Sequence, residues 1–256
     1  MFGVCMKIGI VGANGFLGSV LYHELSRYFN EVVGITRENY STCLGEYDII
    51  INANGNSKKY WANNNPIEDF KASTVSVYKS MFDFPCKKYI FISSVDVYNQ
   101  PMLTTPTEFA RIDSASLSSY GFNKFLAEAV VRKYAESFLI LRSSAIVGKG
   151  LRKGVVHDVV RGNEMFVTRD SCIQYISCTA IANIVNELIN MDDTNTTVNV
   201  GGVGTTSVDY MIKLLKTVPV FSSEARRQYY EVSVDKLNSV FPLETSDYYV
   251  KEIING

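Results

Sequence analysis

Residues 7–29, KIGIVGANGFLGSVLYHELSRYF, join a short apolar run to a longer amphipathic one across three glycines. The run 7–11 is rich in isoleucine and valine, which predicts a buried strand, and the apolar residues after the glycines repeat at helical spacing. Gly12, Gly15 and Gly18 occupy the junction in a G-x-x-G-x-x-G pattern. A strand, a tight turn and a helix in this order predict the opening unit of a parallel α/β sheet.

The alternation of strands and helices continues through the first half of the chain. Apolar runs predict strands at 31–37, 47–55, 87–98 and 135–148, and helical spacing predicts helices at 66–83 and 118–136. The polar residues 61–66, WANNNP, predict a loop before the first of these helices. Because the strands are nearly continuous in apolar residues, helices should cover both sheet faces, which predicts an α/β fold with a Rossmann-type, doubly wound parallel sheet.

The texture of the sequence changes at about residue 150. Residues 1–150 are predicted to form a dinucleotide-binding Rossmann domain. Residues 151–256 mix short elements without a strand–helix rhythm, although 178–191 predicts a helix and 196–202 a strand. We expect this part to form a small C-terminal, mostly substrate-binding lobe that is partly interleaved with the sheet. A chain of 256 residues fits one main domain with an appendage better than two independent domains.

Composition excludes several classes of function. A net charge of −1, with basic runs as short as those in CKKY and LRKG, gives no footprint for nucleic acid or an anionic membrane. No run of 18 apolar residues predicts a membrane span, and the first residues reach glycines too early for a signal peptide, so we expect a cytoplasmic protein. The five cysteines are scattered and only two histidines are present, so we expect reduced thiols and no metal site.

The glycine junction is suited to phosphate binding. Backbone N–H groups at a helix N-terminus attract an anion, and glycines allow a close approach of diphosphate that a Cβ would block. This spacing at a strand–helix junction favours dinucleotide binding over a glycine turn that only packs helix on strand. The residues expected to contact the cofactor here are Gly12, Asn14, Gly15, Phe16, Leu17 and Gly18.

The end of the second predicted strand bears on which dinucleotide binds. An acidic residue there would accept hydrogen bonds from the adenosine ribose, as in NAD binders, but this chain has Thr36 and Arg37. A guanidinium can pair with a 2′-phosphate through two hydrogen bonds, so Arg37 favours NADP. Glu38 follows one residue later, which leaves NAD open.

A third group of residues is suited to proton transfer. Tyr120 and Lys124 lie four apart in the predicted helix 118–136, and Ser94 lies near the carboxyl end of the predicted strand 87–98. A phenol with a pKa near 10 serves as acid or base when a cation favours its phenolate, and Lys124 one turn on can supply that charge. Ser94 could hydrogen-bond the same substrate oxygen. Each feature also has an explanation without function: the Tyr/Lys spacing can arise by chance, and Ser94 can simply end a strand. Only the order of these features after the glycine motif favours catalysis.

Together these motifs resemble the extended short-chain dehydrogenase/reductase family, which includes NAD-dependent nucleotide-sugar epimerases, dehydratases and 4-ketoreductases. The resemblance spans nearly the whole chain. It rests on the segments GANGFLG (12–18), IIINANG (49–55), FISSVDVY (91–98), SSYGFNKFLAE (118–128), LRSSAIVG (141–148) and VNVGG (198–202).

The resemblance implies roles for individual residues. Tyr120 would be the general acid/base, Lys124 would hold the nicotinamide ribose and bias the tyrosine, and Ser94 would bind the substrate oxygen. The residues that would line the cofactor after the third strand are Ala53, Asn54 and Gly55. It also implies a nucleotide-sugar substrate, and a homodimer through a four-helix contact that includes the Tyr/Lys helix.

Departures from the family pattern narrow the reaction. Sugar 4,6-dehydratases carry an Asp-Glu pair where this chain has Val95 and Asp96, which argues against dehydration. Ala145 stands where galactose-type epimerases often have an asparagine, and LRSSAIV is closer to the 4-ketoreductases. Reduction or epimerisation of a keto sugar is therefore expected. Ser73 stands where the family commonly has asparagine, so the family's cofactor contacts do not transfer in detail.

Two other functions stay open at this stage. A non-catalytic dinucleotide sensor of the same fold would keep the Tyr/Lys pair as a relic, and Ala145 together with Ser143 in place of the usual proline gives that idea some weight. A dehydrogenase of steroid-like or flavonoid-like alcohols would need an apolar pocket without basic residues.

Overall fold

A computed structural model of the protein describes residues 6–99, 104–191 and 195–255, so Cys5 lies outside the described residues. The described strands are β1 (Lys7–Val11), β2 (Glu31–Ile35), β3 (Tyr47–Asn52), β4 (Cys86–Ser94), β5 (Phe138–Ser143), β6 (Ala145–Val147), β7 (Met165–Val167), β8 (Cys172–Ile173), β9 (Tyr175–Ser177), β10 (Thr196–Val200), β11 (Thr206–Ser207), β12 (Phe221–Arg226) and β13 (Tyr229–Tyr230). The described α-helices are α1 (Phe16–Leu25), α2 (Lys59–Asn64), α3 (Pro66–Phe70), α4 (Ser76–Asp83), α5 (Ser119–Tyr134), α6 (Val155–Arg161), α7 (Cys178–Ile189), α8 (Val208–Leu215), α9 (Asp235–Asn238) and α10 (Ser246–Asn255).

The largest sheet among the described residues has six strands in the order β10-β5-β4-β3-β1-β2. In the parallel register of the inner strands, Ile10 of β1 lies opposite Gly34 on one side and Ile51 on the other. The chain leaves β1 toward β2 on one side and continues through β3 and β4 on the other. The predicted Rossmann-type parallel sheet is therefore confirmed, and its strand order changes direction at β1, where ligands of such sheets bind at the carboxyl ends of the strands.

The core forms where helices cover this sheet. Leu17, Leu21 and Leu25 recur every fourth residue along α1 and are buried, so one face of the helix packs inward. All six side chains of β5 are buried, as expected for a strand covered on both faces. The fully buried aromatic residues of the core are Phe84, Tyr89 and Phe91.

The described chain separates into two compact units. The first contains residues 6–99, 111–142, 179–191 and 195–198, and the second contains residues 104–110, 143–178 and 199–255. The first unit holds the greater part of the six-stranded sheet. The second contains the paired strands β6-β9 and β12-β7 and the three-stranded sheet β11-β8-β13. Helix α7 and strand β10 return the chain to the first unit after residue 178.

Two local expectations were wrong. The polar segment 61–66 was expected to be a loop, but α2 continues through Asn64 because Ala62 is buried and the Asn65 amide donates to the Trp61 carbonyl oxygen at 3.0 Å, satisfying an end of the helix. The predicted strand 135–148 is interrupted at Ser144, so that β5 belongs to the large sheet and β6 pairs with β9 instead.

The described residues also bear on cysteine chemistry, metals and membranes. Cys43, Cys86, Cys172 and Cys178 are free thiols. Over the ranges 6–99, 104–191 and 195–255, no three His, Cys, Asp or Glu side chains gather as a metal site would require. No helix in those ranges has the length and apolar character needed to cross a membrane.

Candidate functional site

The turn after β1 is built so tightly that it requires glycine. Gly12 has a φ of +87°, and its N–H and that of Ala13 both donate to the Ile35 carbonyl oxygen at 2.9 and 3.2 Å. A Cβ at Gly18 would lie 2.1 Å from the Gly12 carbonyl oxygen, so only glycine lets α1 pack this closely on the turn. The glycines therefore have a packing role whatever else they do.

The N-terminus of α1 faces this turn with its backbone. Gly15 is the N-cap, and as a glycine it has no side chain with which to cap the helix. Asn14, Gly15 and Phe16 are exposed, whereas Leu17 is buried, so Leu17 could contact a ligand only through its backbone. A helix N-terminus whose first residues are exposed has a partial positive charge that attracts an anion.

The loop after β3 lies directly against the glycine turn. A Cβ on Gly12 would come within 3.0 Å of the Asn54 backbone, and the Ala53 N–H donates to the Val11 carbonyl oxygen at 3.0 Å. The Asn52 side chain accepts a hydrogen bond from the Asn54 N–H at 2.9 Å. Gly55 then turns with a φ of +132°. The structure thus brings together the two segments that the sequence predicted to line the cofactor.

Hydrogen bonds among three buried polar side chains hold Asn52, the last residue of β3, at the start of this loop. The Asn52 amide donates to the Tyr89 hydroxyl at 2.7 Å and to the Ser80 hydroxyl at 3.1 Å, and all three side chains are fully buried. Because these groups satisfy one another, the loop is held by interior contacts that the sequence alone did not indicate.

Arg37 lies just after β2 and is exposed. The nearby backbone is fixed by Asn39, whose side chain accepts a hydrogen bond from the Thr36 N–H at 2.7 Å and donates to the Gly34 carbonyl oxygen at 2.8 Å. Among the residues that the structure describes, no carboxylate lies within ion-pair distance of Arg37. A hydrogen bond from Thr36, and to a smaller extent the charge of Arg37, lowers the pKa of Glu38.

Ser94, Tyr120 and Lys124 lie together at the carboxyl end of β4. A Cβ on Gly121 would come within 2.2 Å of the Asp96 carbonyl oxygen, so this glycine lets α5 approach the segment after Ser94 closely. The Ser94 hydroxyl acts to lower the pKa of Tyr120, so the two side chains lie close together. The Lys124 ammonium donates to the Ile92 carbonyl oxygen at 3.2 Å.

The same contacts bring Lys124 to the loop after β3. A Cβ on Gly55 would lie 3.4 Å from Lys124 Nζ. Three segments that are far apart in sequence therefore meet at one edge of the sheet, namely the glycine turn, the loop after β3 and the N-terminal half of α5.

The electrostatics of the site differ from the expectation. Burial, and next the carboxylate of Asp96, raise the pKa of Tyr120, while the nearby Ser94 hydroxyl acts to lower it. Burial lowers the pKa of Lys124 to about 8, against the charges of Asp69 and Glu128. We expected Lys124 to favour the phenolate of Tyr120, but burial outweighs any such effect here and the phenol is held protonated at neutral pH.

Two acidic residues of the site were given no role from the sequence. The Ser94 hydroxyl donates to one oxygen of Asp96 at 3.3 Å, and Lys59 of α2 forms an ion pair with the other. Asp69 of α3 is fully buried within hydrogen-bonding distance of Asn123, the neighbour of Lys124. Asp96 is visible in the FISSVDVY segment, but no sequence pattern marked Lys59 or Asp69.

Comparison with known proteins identifies related folds. The family model described as "NAD dependent epimerase/dehydratase family" matches residues 8–164. A comparison with curated protein sequences gave no significant match.

Several solved structures are similar over almost the whole chain. One is dTDP-4-dehydrorhamnose reductase from Bacillus anthracis str. Ames in complex with NADP, with 18% identity, a TM-score of 0.82 and coverage of 100% of this chain and 99% of that one. UDP-glucose 4-epimerase from Thermotoga maritima with UDP-glucose has 20% identity, a TM-score of 0.78 and 98% coverage of each chain. UDP-glucuronic acid 4-epimerase from Bacillus cereus, in complex with UDP-glucuronic acid and NAD, has 14% identity, a TM-score of 0.80 and 98% coverage of each chain. At these identities the likeness shows a shared fold.

Proposed function

This chain belongs to the NAD dependent epimerase/dehydratase family, and from that premise we propose that it is a nicotinamide-dependent oxidoreductase or epimerase of a nucleotide-linked sugar. The observation that carries the proposal is the meeting of the glycine turn, the loop 53–55 and the group Ser94, Tyr120 and Lys124 at one edge of the sheet. The similar structures of a reductase with NADP and of epimerases with UDP-sugars support the substrate class.

The residues present fit a dinucleotide. The turn formed by Gly12, Gly15 and Gly18 is the proposed diphosphate cradle: a Cβ at any of them would come within 3.0 Å of neighbouring backbone, so only glycine allows this turn at the N-terminus of α1, whose partial positive charge suits a diphosphate. Lys124, beside Gly55, is placed to donate to a ribose hydroxyl. When bound, a nicotinamide would supply the hydride donor or acceptor.

The proposed proton chemistry follows from the protonation states. Tyr120, whose pKa is raised by burial and Asp96, is a phenol at neutral pH and can donate its proton to the oxygen of a keto sugar. Ser94, which lies beside Tyr120 and now donates to Asp96, would instead donate to that oxygen and hold it in place. A protonated donor suits the reduction of a 4-keto sugar, which we propose as the direction of the reaction.

Replacing Tyr120 by phenylalanine tests this role. Loss of a general acid should lower kcat by about 10²- to 10⁴-fold while leaving cofactor affinity nearly intact. Tyr134→Phe is the matched control, because Tyr134 lies on the same helix but is exposed and bonds only to the Tyr78 hydroxyl, at 2.9 Å. Undiminished turnover in Tyr120→Phe would remove Tyr120 from the mechanism, and a wild-type protein that binds the cofactor but turns over no sugar would favour the sensor.

The ligand classes can be identified by thermal shift. The panel comprises NADH, NADPH and UDP-, GDP-, CDP- and dTDP-sugars, since a ligand at a hundred times its dissociation constant adds about 2.7 kcal/mol of stability. Stabilisation by a nicotinamide cofactor and by at least one nucleotide sugar is expected. No shift with any cofactor would refute the proposal.

We further propose that NADP is preferred, because exposed Arg37 is free to meet a 2′-phosphate. Arg37→Ala should raise the KM for NADPH by about 10- to 100-fold, as expected for a lost charged hydrogen bond, and leave the KM for NADH unchanged. Arg27→Ala, which removes another exposed arginine paired with Glu24, is the control. Equal effects on both cofactors would count against the preference.

Assembly, the second unit and location stay proposals. A homodimer through α4 and α5 is supported by their exposed aromatic residues Tyr78, Phe82, Phe122 and Tyr134. The second unit is proposed to bind the nucleotide portion of the substrate, and the cytosol stays our expectation for its location. Light scattering of the purified protein would test the dimer directly.

A further inference from the structure

The carboxylate of Asp69, like that of Glu128, is completely buried beside the site. Its oxygens accept hydrogen bonds from Asn56 at 2.9 Å, from Ser73 at 3.2 Å and from Asn123 at 2.7 Å. Within the described residues no cation lies within 4.0 Å of it, so the donors that hold this buried carboxyl group are neutral. A charged carboxylate in such a place is costly unless other groups compensate it.

Its three donors come from three different segments. Asn56 follows the loop after β3, Ser73 lies in the π-helical turn Lys71–Val75 between α3 and α4, and Asn123 precedes Lys124 on α5. The π-helical turn brings two consecutive residues inward, since Ser73 and Thr74 are both buried. Thr74 donates to the Asn123 carbonyl oxygen at 2.9 Å, and the Asn56 N–H donates to the Ser73 hydroxyl at 3.3 Å. π-helical turns of this kind are frequent at functional sites.

Of the two carboxylates that act on Lys124, Asp69 is the one that forms no ion pair with another described residue. The groups that face Lys124 are Asp69 from α3, Glu128 from its own helix, the Phe91 ring and the Ile92 carbonyl from β4, and Gly55 from the loop after β3. A Cβ on Gly55 would lie 3.4 Å from Lys124 Nζ and 3.7 Å from Ser73 Oγ, and Ser73 donates to Asp69, so Lys124 ends beside the group that holds this carboxylate. Glu128 already accepts ion pairs from Arg142 and Arg132. After burial, which lowers the pKa of Lys124, the charge of Asp69 is the largest influence and acts to raise it.

We propose that Asp69 is a positioning residue that keeps Lys124 charged in its buried place and ties the loop after β3 to α5. This inference rests on the proposed function for its catalytic meaning, because a charged Lys124 is what the bound ribose and the tyrosine require. In this proposal Asp69 and Ser73 support the site together. Ser73 stands where the family commonly has an asparagine.

Asp69→Asn removes the charge and keeps the shape, since the amide oxygen can still accept from Asn56 and Ser73 while the Asn123 amide turns over. The titration of Lys124 is followed by NMR of ¹³C-methylated lysines, with Lys124→Met identifying the signal. Lys124 should titrate at least about one pH unit lower in Asp69→Asn than in the wild type. Glu68→Gln, the adjacent exposed residue that pairs only with Lys71, should leave the titration unchanged.

The pH dependence of kcat/KM provides a second test. The alkaline limb of kcat/KM should move to lower pH by the same interval in Asp69→Asn, whereas a purely structural residue would lower kcat/KM at every pH without moving the limb. A Lys124 titration identical in Asp69→Asn, Glu68→Gln and the wild type overturns the inference. Because the titration needs no substrate, an inactive protein would refute the proposed function and leave this inference testable.

If Asp69→Asn alone does not fold, the double variant Asp69→Asn with Lys124→Met decides. A neutral pair should restore folding, as judged by a cooperative thermal transition, if the two charges depend on each other. An unfolded double variant alongside a folded Lys124→Met would show that Asp69 acts independently of Lys124, and would overturn the inference.

Discussion

Replacing Glu128 by glutamine should destabilise the folded protein by about 3 to 5 kcal/mol at pH 7, the range found when one partner of a buried ion pair is removed. Glu128 is fully buried on α5, and Arg142 of β5 is 3% exposed. The carboxylate accepts from Arg142 Nε at 3.0 Å and Nη2 at 2.8 Å, from Ser93 at 2.7 Å and from Arg132 at 2.9 Å. A glutamine would turn an NH₂ group toward donors and leave the Arg142 charge buried without compensation.

The pH dependence of this effect follows from the titration of Glu128. Burial would raise the pKa of Glu128, but hydrogen bonds and charge from Arg142, with further help from Ser93 and Arg132, outweigh burial and hold the pKa below its usual value. A carboxyl group of this kind stabilises the folded state above its unfolded pKa, and this contribution is lost as the pH falls through the folded value. The difference between wild type and Glu128→Gln should therefore be full at pH 7 and shrink below about pH 4.5.

Urea unfolding measured on both proteins at several pH values provides the assay. Glu136→Gln, an exposed glutamate just beyond the same helix, should change stability by less than about 0.5 kcal/mol. The single variants Glu128→Leu and Arg142→Met are compared with the double variant that carries both changes. The double variant should be less destabilised than the more destabilised single variant, because neither partner of the Glu128–Arg142 pair is then left as an unpaired buried charge. A loss below about 1 kcal/mol in Glu128→Gln, or full additivity in the double variant, would refute the reasoning.

Three further outcomes are expected. Gly18→Ala places a Cβ 2.1 Å from the Gly12 carbonyl oxygen and should abolish the thermal shift produced by NAD(P)H, so an unchanged shift would contradict the cradle. Relative to Lys124→Met, the wild type should gain stability in urea unfolding as the pH rises from about 8 toward 10.5, because burial lowers the pKa of Lys124 and the unfolded chain binds the extra proton in that interval. Tyr89→Phe removes one acceptor of the buried Asn52 amide, so it should lower the free energy of unfolding by about 1 to 3 kcal/mol and raise the KM for the cofactor. A loss of stability with an unchanged KM would show that the loop after β3 does not depend on this contact.

Much of the fold was accessible from the sequence because its signals are local. The strand 7–11, the glycine turn and the helix after it were predicted from periodicity and glycine spacing, and the structure confirms them as β1 and α1. The missed features depend on contacts between distant residues. The segment 61–66 was predicted to be a loop because its residues are polar and its asparagines are poor helix formers, whereas burial of Ala62, the bond from Asn65 and the ion pair of Lys59 with Asp96 stabilise α2. The break at Ser144 likewise depends on which sheet each neighbour joins.

The sequence by itself determined the parallel α/β architecture, the family resemblance and the residues that should meet at the site, because each of these follows from the spacing of residue types along the chain. Only the tertiary structure decided the charges of that site. Burial by residues distant in sequence raises the pKa of Tyr120 and lowers that of Lys124 to about 8, the reverse of what their pairing on one helix predicted. Desolvation depends on everything packed around a group, and Asp69 enters beside Lys124 through a fold that no local pattern specifies.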